Sequence, residues 1–156
     1  MKTPDSRKQL DALADEVFEV TKLVSAARAR AAATGPEELS ESEFLALDML
    51  TKTEVVTVGE LQKSIGILPA QMSRLLRGLE DKSGTGLVAS SINPQDRRKV
   101  DVTITDDGRA AHDRYRAARR RTGLEFIKRL DQDDRDVFMR ILRGFREELS
   151  KRLQIK

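Results

Sequence analysis

Residues 87–108 read LVASSINPQDRRKVDVTITDDG. Apolar and polar residues alternate in the second half of this stretch, with the period of a half-buried β-strand. The apolar positions of that strand are Val100, Val102 and Ile104. A turn sequence, residues 93–98, precedes the strand and ends in two arginines. The pattern therefore predicts a hairpin with strands at 87–92 and 99–104 and a basic tip.

The helix that precedes this hairpin is predicted to have one apolar and one basic side. It should run from about Pro69 to Lys82, because proline suits the first position of a helix. At 100° per residue, four apolar side chains fall within one arc: Met72, Leu75, Leu76 and Leu79. The opposite side and its flanks carry small, polar or basic residues: Ala70, Gln71, Ser73, Arg74 and Arg77. We expect the leucines to be buried and the arginines to be exposed.

Two capped helices stand upstream, at the spacing of a helix-turn-helix. Each begins with a capping box, in which a hydroxyl residue pairs with a glutamate three positions later. The two boxes are Ser40 with Glu43 and Thr57 with Glu60. Gly66 should end the second of these helices. Two short helices, a two-sided helix and a basic hairpin, in this order, predict a winged helix.

Further helices flank this region, one before it and two after it. The first should span about residues 5–33 and end before Gly35 and Pro36. The other two should begin near Thr105 and Asp131, each with acidic residues in its first turn. The first and last helices carry apolar residues at helical spacing that one winged helix does not need: Leu10, Leu13, Val17, Val20, Val137, Ile141, Phe145 and Leu149. A symmetric homodimer would cover them. The predicted fold is therefore mainly α (α+β), a winged helix-turn-helix domain with a two-stranded wing between dimerisation helices.

Composition narrows the classes of function. The 156 residues include no cysteine and one histidine, which excludes thiol chemistry and disfavours histidine-cluster metal sites. No apolar run has membrane-spanning length and no signal peptide opens the chain, so we expect a cytoplasmic protein without membrane, metal or cofactor. The net charge is only +3, but positive charge concentrates in the second half of the chain. This asymmetry indicates either a polyanion partner or a solvated helix face.

In order and in residue pattern these elements resemble the MarR family of winged-helix transcriptional regulators. The matching stretches are residues 39–47 (LSESEFLAL), 58–61 (VGEL), 72–80 (MSRLLRGLE), 96–98 (DRR) and 102–108 (VTITDDG). The last two resemble the wing tip of the family and the start of the next helix, with Ile104 where leucine is usual. The chain departs from the family pattern by the extra segment Ser83-Gly84-Thr85, which we expect to loosen the wing or change its approach to DNA.

The domain division that follows places a dimerisation helix at 1–38, the DNA-binding domain at 39–108 and two further dimerisation helices at 109–156. The residues of the two-sided helix themselves suggest DNA binding, because an α-helix fits the major groove and arginine can bond guanine bidentately. Arg74 and Arg77 are the best candidates for base or phosphate contacts; ion pairs with neighbouring acids are the alternative.

The start of the two-sided helix has a further feature. Leu68, the predicted N-cap, has no side-chain acceptor, so the amides of Ala70 and Gln71 are candidates for a phosphate contact. A simple solvated helix end is the alternative. The other polar residue of this side, Ser73, completes the candidate DNA-contacting set.

The resemblance also implies roles for the hairpin tip. Asp96 would orient the tip, Arg98 would enter the minor groove, and Arg97 or Lys99 would contact phosphate. Narrow A·T tracts concentrate negative potential in that groove. The alternative is an exposed hairpin end without a function.

A small aromatic or anionic effector is a further implication of the resemblance. In the family such molecules bind between the dimerisation helices and the winged helix, and His112 and Tyr115 would line the site. A surface histidine and a packed tyrosine are the alternative.

The predicted function is a homodimeric repressor that binds a palindromic site on double-stranded DNA and is released by an effector. A winged-helix module that binds a protein or acts architecturally, without a specific operator, is the alternative. An enzyme is the weakest hypothesis, because no phosphate-binding loop, metal spacing or nucleophile with a base is present.

Overall fold

The computed structural model describes residues 4–34 and 39–153. Within these residues the elements follow in the order α1 (Pro4–Thr34), α2 (Glu41–Lys52), β1 (Val56–Thr57), α3 (Val58–Ile65), α4 (Pro69–Asp81), β2 (Val88–Ile92), β3 (Val100–Ile104), α5 (Asp106–Ile127) and α6 (Gln132–Leu153). They form two compact units, divided between Ser40 and Glu41. The predicted fold class, mainly helical with a small antiparallel sheet, is confirmed. The division into three functional domains stays a prediction.

The first unit is built on α1. This helix spans the predicted segment, while the predicted stop at Gly35 and Pro36 lies outside the described residues. Its large apolar side chains are exposed to solvent: Leu10, Leu13, Val17, Phe18, Val20, Leu23 and Val24. In a single chain this apolar surface is uncovered.

The second unit begins with the helix-turn-helix, whose boundaries follow the predicted caps. α2 starts at Glu41, directly after Ser40. At α3 the capping box is complete, since the Glu60 amide donates to Thr57 Oγ1 at 3.3 Å and the Thr57 amide donates to Glu60 Oε2 at 2.9 Å. Gly66 ends α3 with a left-handed φ of 74°. The core between these helices consists of buried aliphatic side chains: Ala46, Leu47, Leu50, Leu61, Met72, Leu75, Leu76 and Leu79.

The sheet has three strands in the order β1-β3-β2, all antiparallel, where the sequence predicted two. The added strand, β1, is only two residues long and pairs Val56 with Val102. Two residues are too few to show an alternating pattern, and Thr57 also caps α3. The sequence at this position therefore predicts a helix start and gives no sign of a strand.

The predicted alternation of β3 is wrong at its first two residues. Asp101 is buried and Val100 is exposed, although the pattern predicted the reverse. β3 is the central strand, so Asp101 lies between Thr57 of β1 and Ser91 of β2, whereas Val100 faces only Ile92. The buried carboxylate is compensated because Asn93 Nδ2 donates to both of its oxygens at 2.9 Å.

The start of α5 packs tightly against the start of β2. Thr105 caps α5, accepting from the Gly108 amide at 3.0 Å, and the Thr105 amide donates to the Leu87 carbonyl at 3.1 Å. A Cβ added at Gly108 would lie 2.0 Å from that carbonyl oxygen. Gly108 is therefore a position of close backbone approach and not merely a weak point in the first turn of a helix.

Candidate nucleic-acid interface

Helix α4 has the two sides that the sequence predicted. It begins with Pro69 at its first position, after Leu68 as an extended N-cap residue (φ −73°, ψ 155°). Its inner side chains are buried in the helix-turn-helix core. The outer residues are exposed: Ala70, Gln71, Ser73, Arg74 and Arg77. The amphipathic pattern alone thus positions two guanidinium groups on the solvent side of α4.

Several polar groups on this side of α4 bond to the helix itself. Gln71 Oε1 accepts from the Leu68 amide at 3.0 Å, and Ser73 Oγ donates to the Pro69 carbonyl at 3.1 Å. Arg77 Nε donates to the Ser73 carbonyl at 3.3 Å. Arg74 forms no hydrogen bond or ion pair with residues 4–34 or 39–153. Its whole guanidinium edge is available to a partner.

The wing tip is a preorganised turn. Asn93 Oδ1 accepts from the amides of Gln95 and Asp96 at 2.9 and 2.8 Å, which fixes the bend. Asp96 Oδ1 then accepts from Arg98 twice, from the backbone amide at 3.2 Å and from Nε at 3.1 Å. Both bonds from Arg98 hold the pKa of Asp96 below its ordinary value, and the side-chain bond has the larger effect.

Three basic side chains project from that turn. Arg97, Arg98 and Lys99 are all exposed, and Arg98 keeps 91% of its side chain accessible despite its bond to Asp96. The Lys99 ammonium lies 4.0 Å from the second oxygen of Asp96. Asp96 thus holds the Arg98 side chain by a hydrogen bond and leaves most of it exposed.

The wing and α4 are joined by a hydrogen bond that the sequence analysis missed. Ser90 Oγ in β2 donates to Glu80 Oε1 at the end of α4. Ten residues separate the two side chains, and a turn and a strand start lie between them. No sequence pattern marks such a pair, which joins the middle of the predicted strand at 87–92 to the last turn of the predicted helix.

The extra segment Ser83-Gly84-Thr85 forms a compact turn. Ser83 and Gly84 both adopt positive φ, 61° and 72°, and the chain closes as the Gly86 amide donates to the Lys82 carbonyl at 3.0 Å. Thr85 Oγ1 donates to Asp107 Oδ2 in the first turn of α5. The segment is thus held by one backbone and one side-chain hydrogen bond. Its effect on the approach of the wing to DNA stays a prediction.

His112 is buried, so the alternative of a surface histidine is wrong. Its ring bridges two carboxylates: Nε2 lies 3.1 Å from Asp48 Oδ1 in α2, and Nδ1 lies 3.1 Å from Asp113 Oδ1. It also stacks on Phe44, with ring centroids 5.1 Å apart. The sequence could not show this link, because 64 residues separate His112 from Asp48.

Tyr115 completes this cluster between α2 and α5. Its ring stacks on Phe44 at 4.6 Å, and its hydroxyl donates to Glu41 Oε2 at 3.1 Å and accepts from Arg119 at 2.8 Å. Arg119 also lies over the ring, 4.7 Å from the centroid. Burial, more than its polar partners, raises the pKa of Tyr115 above its ordinary value. Tyr115 is thus a packed residue, as the alternative interpretation expected, and an effector site at this cluster stays a prediction.

Asp48 carries charge in this cluster. Burial raises the pKa of its carboxyl, but hydrogen bonds from Lys52, at 2.5 Å, and from His112 outweigh that effect. The net result is a pKa below the ordinary value, so Asp48 is an anion at neutral pH. The junction of α2 and α5 therefore holds an ionised carboxylate beside the stacked rings of Phe44 and His112.

Most of the large apolar residues described in α6 are exposed in the single chain, as are those of α1. They include all four that the sequence assigned to a dimer interface on this helix: Val137, Ile141, Phe145 and Leu149. Uncovered apolar area of this extent is typical of a protein–protein interface.

No group of three or more potential metal ligands occurs among residues 4–34 and 39–153. In the same part of the chain, no helix is apolar enough over a sufficient length to span a membrane.

Comparison with known proteins identifies the family. Residues 39–100 match the sequence model of the MarR family. An HTH-type transcriptional repressor of Mycobacterium tuberculosis is 32% identical over 111 residues, which cover 71% of this chain and 78% of that protein.

Solved structures show the same fold. A MarR family protein from Bacillus stearothermophilus superposes with a TM-score of 0.75 at 19% identity, covering 92% of this chain and 97% of that one. BpsR of Bordetella bronchiseptica, whose DNA binding is regulated by 6-hydroxynicotinic acid, has a TM-score of 0.57 at 22% identity, covering 83% and 98%. The chain belongs to the MarR family: it is a DNA-binding winged helix-turn-helix transcriptional regulator and not an enzyme.

Proposed function

We propose that the chain is a homodimeric repressor that binds a palindromic operator through α4 and the wing. The observation that carries this proposal is the joint presentation of exposed guanidinium groups on one unit: Arg74 on α4 and Arg98 on the wing tip. The Ser90–Glu80 bond connects the elements that bear them. A helix in the major groove and a basic tip in the minor groove then bind the same half-site.

The roles of the remaining polar residues follow from this placement. Arg74 is the better base-reading group, since Arg77 already uses Nε for its own helix. Arg77, Gln71 and Ser73 lie beside it and contact base edges or phosphates, as do the amides at the helix start. In the wing, Arg97 and Lys99 contact phosphates on either side of the minor groove.

Dimerisation is proposed from the uncovered apolar residues of α1 and of α6. These segments, residues 1–38 and 109–156, form the dimerisation region, and residues 39–108 form the DNA-binding domain. A two-fold axis requires that the operator be an inverted repeat, with half-site centres about 34 Å apart, one turn of DNA.

Release by a small aromatic or anionic effector is proposed for the cluster of Phe44, His112, Tyr115 and Arg119. Rings for stacking and a guanidinium for an anion lie together there. BpsR, a structural neighbour regulated by an aromatic acid, supports this chemistry. An effector bound between α2 and α5 would favour one distance between the two α4 helices of the dimer over another. If the favoured distance does not match the operator, DNA binding is weakened.

Selection of duplexes from a random pool tests the proposed function. We expect repeated binding and amplification to enrich one inverted repeat with half-sites one helical turn apart. Binding to it should weaken steeply with salt, since log affinity falls by about 0.9 per phosphate counterion released for each unit of log salt. A pool that stays unenriched while the protein still binds bulk DNA would favour the architectural module and contradict the operator-binding repressor.

A further inference from the structure

Three consecutive apolar residues at the start of α4 are exposed to solvent: Leu68, Pro69 and Ala70. Leu68 is 68% exposed, the highest value of any large hydrophobic side chain in the described residues. An isolated surface leucine needs no explanation, but this one directly precedes the first turn of the helix that carries Arg74.

Two polar side chains next to these residues, Gln71 and Ser73, each form one hydrogen bond to the backbone at the helix start. Gln71 directs Oε1 to the Leu68 amide at 3.0 Å, and Ser73 directs its hydroxyl to the Pro69 carbonyl at 3.1 Å. Both bonds are made within the helix start, so they need no partner molecule. The start of α4 therefore exposes the apolar side chains of Leu68 and Ala70 on the same helix as Arg74, whose guanidinium pairs with none of the described residues.

We propose that Leu68 and Ala70 contact the C5-methyl group of a thymine in each half-site. In a helix-turn-helix the N-terminal residues of the recognition helix reach the base edges. The thymine methyl is the apolar group that the major groove displays there. An exposed leucine in that position would be desolvated by a methyl group and would have no favourable partner at a polar base edge.

The position of this thymine can be bounded. Leu68 and Arg74 are six residues apart, about 9 Å along a helix that rises 1.5 Å per residue. Bases stack about 3.4 Å apart along each strand. The thymine should therefore lie within about three base pairs of the guanine that Arg74 reads. This inference rests on the proposed function of α4 as the reading helix.

Replacing thymine by deoxyuridine tests the contact, because it removes only the methyl group. Equilibrium titrations would use the wild-type chain and Leu68→Ala on the selected operator, with one thymine replaced symmetrically in both half-sites at a time. At one position we expect the wild type to lose about 15-fold in affinity, since burying one methyl contributes roughly fourfold in each of the two half-sites. Leu68→Ala should lose a similar factor on the thymine operator and nothing further on the deoxyuridine operator.

Leu45→Ala is the matched control, because it makes the same change at another exposed leucine, on α2. It should keep the wild-type ratio of thymine to deoxyuridine affinity. Melting curves and gel-filtration masses of both variants should equal those of the wild type.

Two results would overturn the inference while the proposed function stands. The first is an equal ratio of thymine-operator to deoxyuridine-operator affinity for the wild type and Leu68→Ala. The second is a changed dimer mass in Leu68→Ala, which would assign the side chain to a protein contact. If the wild-type chain selects no operator at all, the proposed function fails and the thymine contact fails with it.

Discussion

Gly108→Ala should destabilise the chain by about 2–3 kcal/mol, the upper range for overpacking a filled site. The added Cβ would lie 2.0 Å from the Leu87 carbonyl oxygen and 2.8 Å from Ile104 Cγ1. The first neighbour is backbone, so α5 and the start of β2 must separate and the Thr105–Leu87 hydrogen bond must lengthen. Helix propensity favours alanine over glycine by only about 0.5–1 kcal/mol. The clash outweighs this gain, so the substitution lowers the free energy of unfolding. Thermal unfolding should show a melting temperature lower by roughly 4–12 °C.

Gly123→Ala is the control for this prediction. It makes the same change in the same helix at a position where an added Cβ meets nothing within 4 Å. We expect it to raise the melting temperature slightly. If Gly108→Ala melts at or above the wild-type temperature, the close approach of α5 to β2 is wrong.

Ile141→Glu should convert the dimer to monomers and weaken operator binding by about 100-fold or more, because linked binding at two half-sites contributes about 10²–10⁴ in avidity. Ile141 is the most exposed large apolar side chain described in α6. Placing a carboxylate in a dry interface leaves a buried charge without a partner. Sedimentation or light scattering would report the mass, and a titration of the operator would report the affinity.

Gln132→Glu adds the same charge on the same helix at an exposed polar position. It should leave mass and affinity unchanged. An Ile141→Glu chain that remains dimeric and binds the operator normally would remove α6 from the proposed interface.

The elements that the sequence predicted well are those specified by neighbouring residues. Thr57 and Glu60 are three positions apart and form the capping box that starts α3. The burial of Met72 and Leu79 follows from helical spacing alone. A cap or an amphipathic side depends on residues within one or two turns, so one sequence suffices to find it.

The features that the sequence did not show depend on contacts between distant segments. Asp101 is buried because β1, a strand of two residues, covers one side of β3. Gly108 is required by a carbonyl 21 positions earlier, which no local pattern encodes. His112 meets Asp48 across two elements of the unit. Each depends on how elements pack, which secondary-structure periodicity does not determine.

The central claim is that the outer side of α4 and the wing tip bind one duplex. Its most direct test is a pair of titrations of the selected operator with Arg74→Ala and Arg98→Ala, each at several salt concentrations, with Lys151→Ala at the end of α6 as the charge-matched control. Each interface variant should lose about 1–3 kcal/mol of binding free energy per contacted half-site, with melting temperatures unchanged, while the control binds as the wild type does. Wild-type affinity and wild-type salt dependence in both arginine variants would contradict the claim.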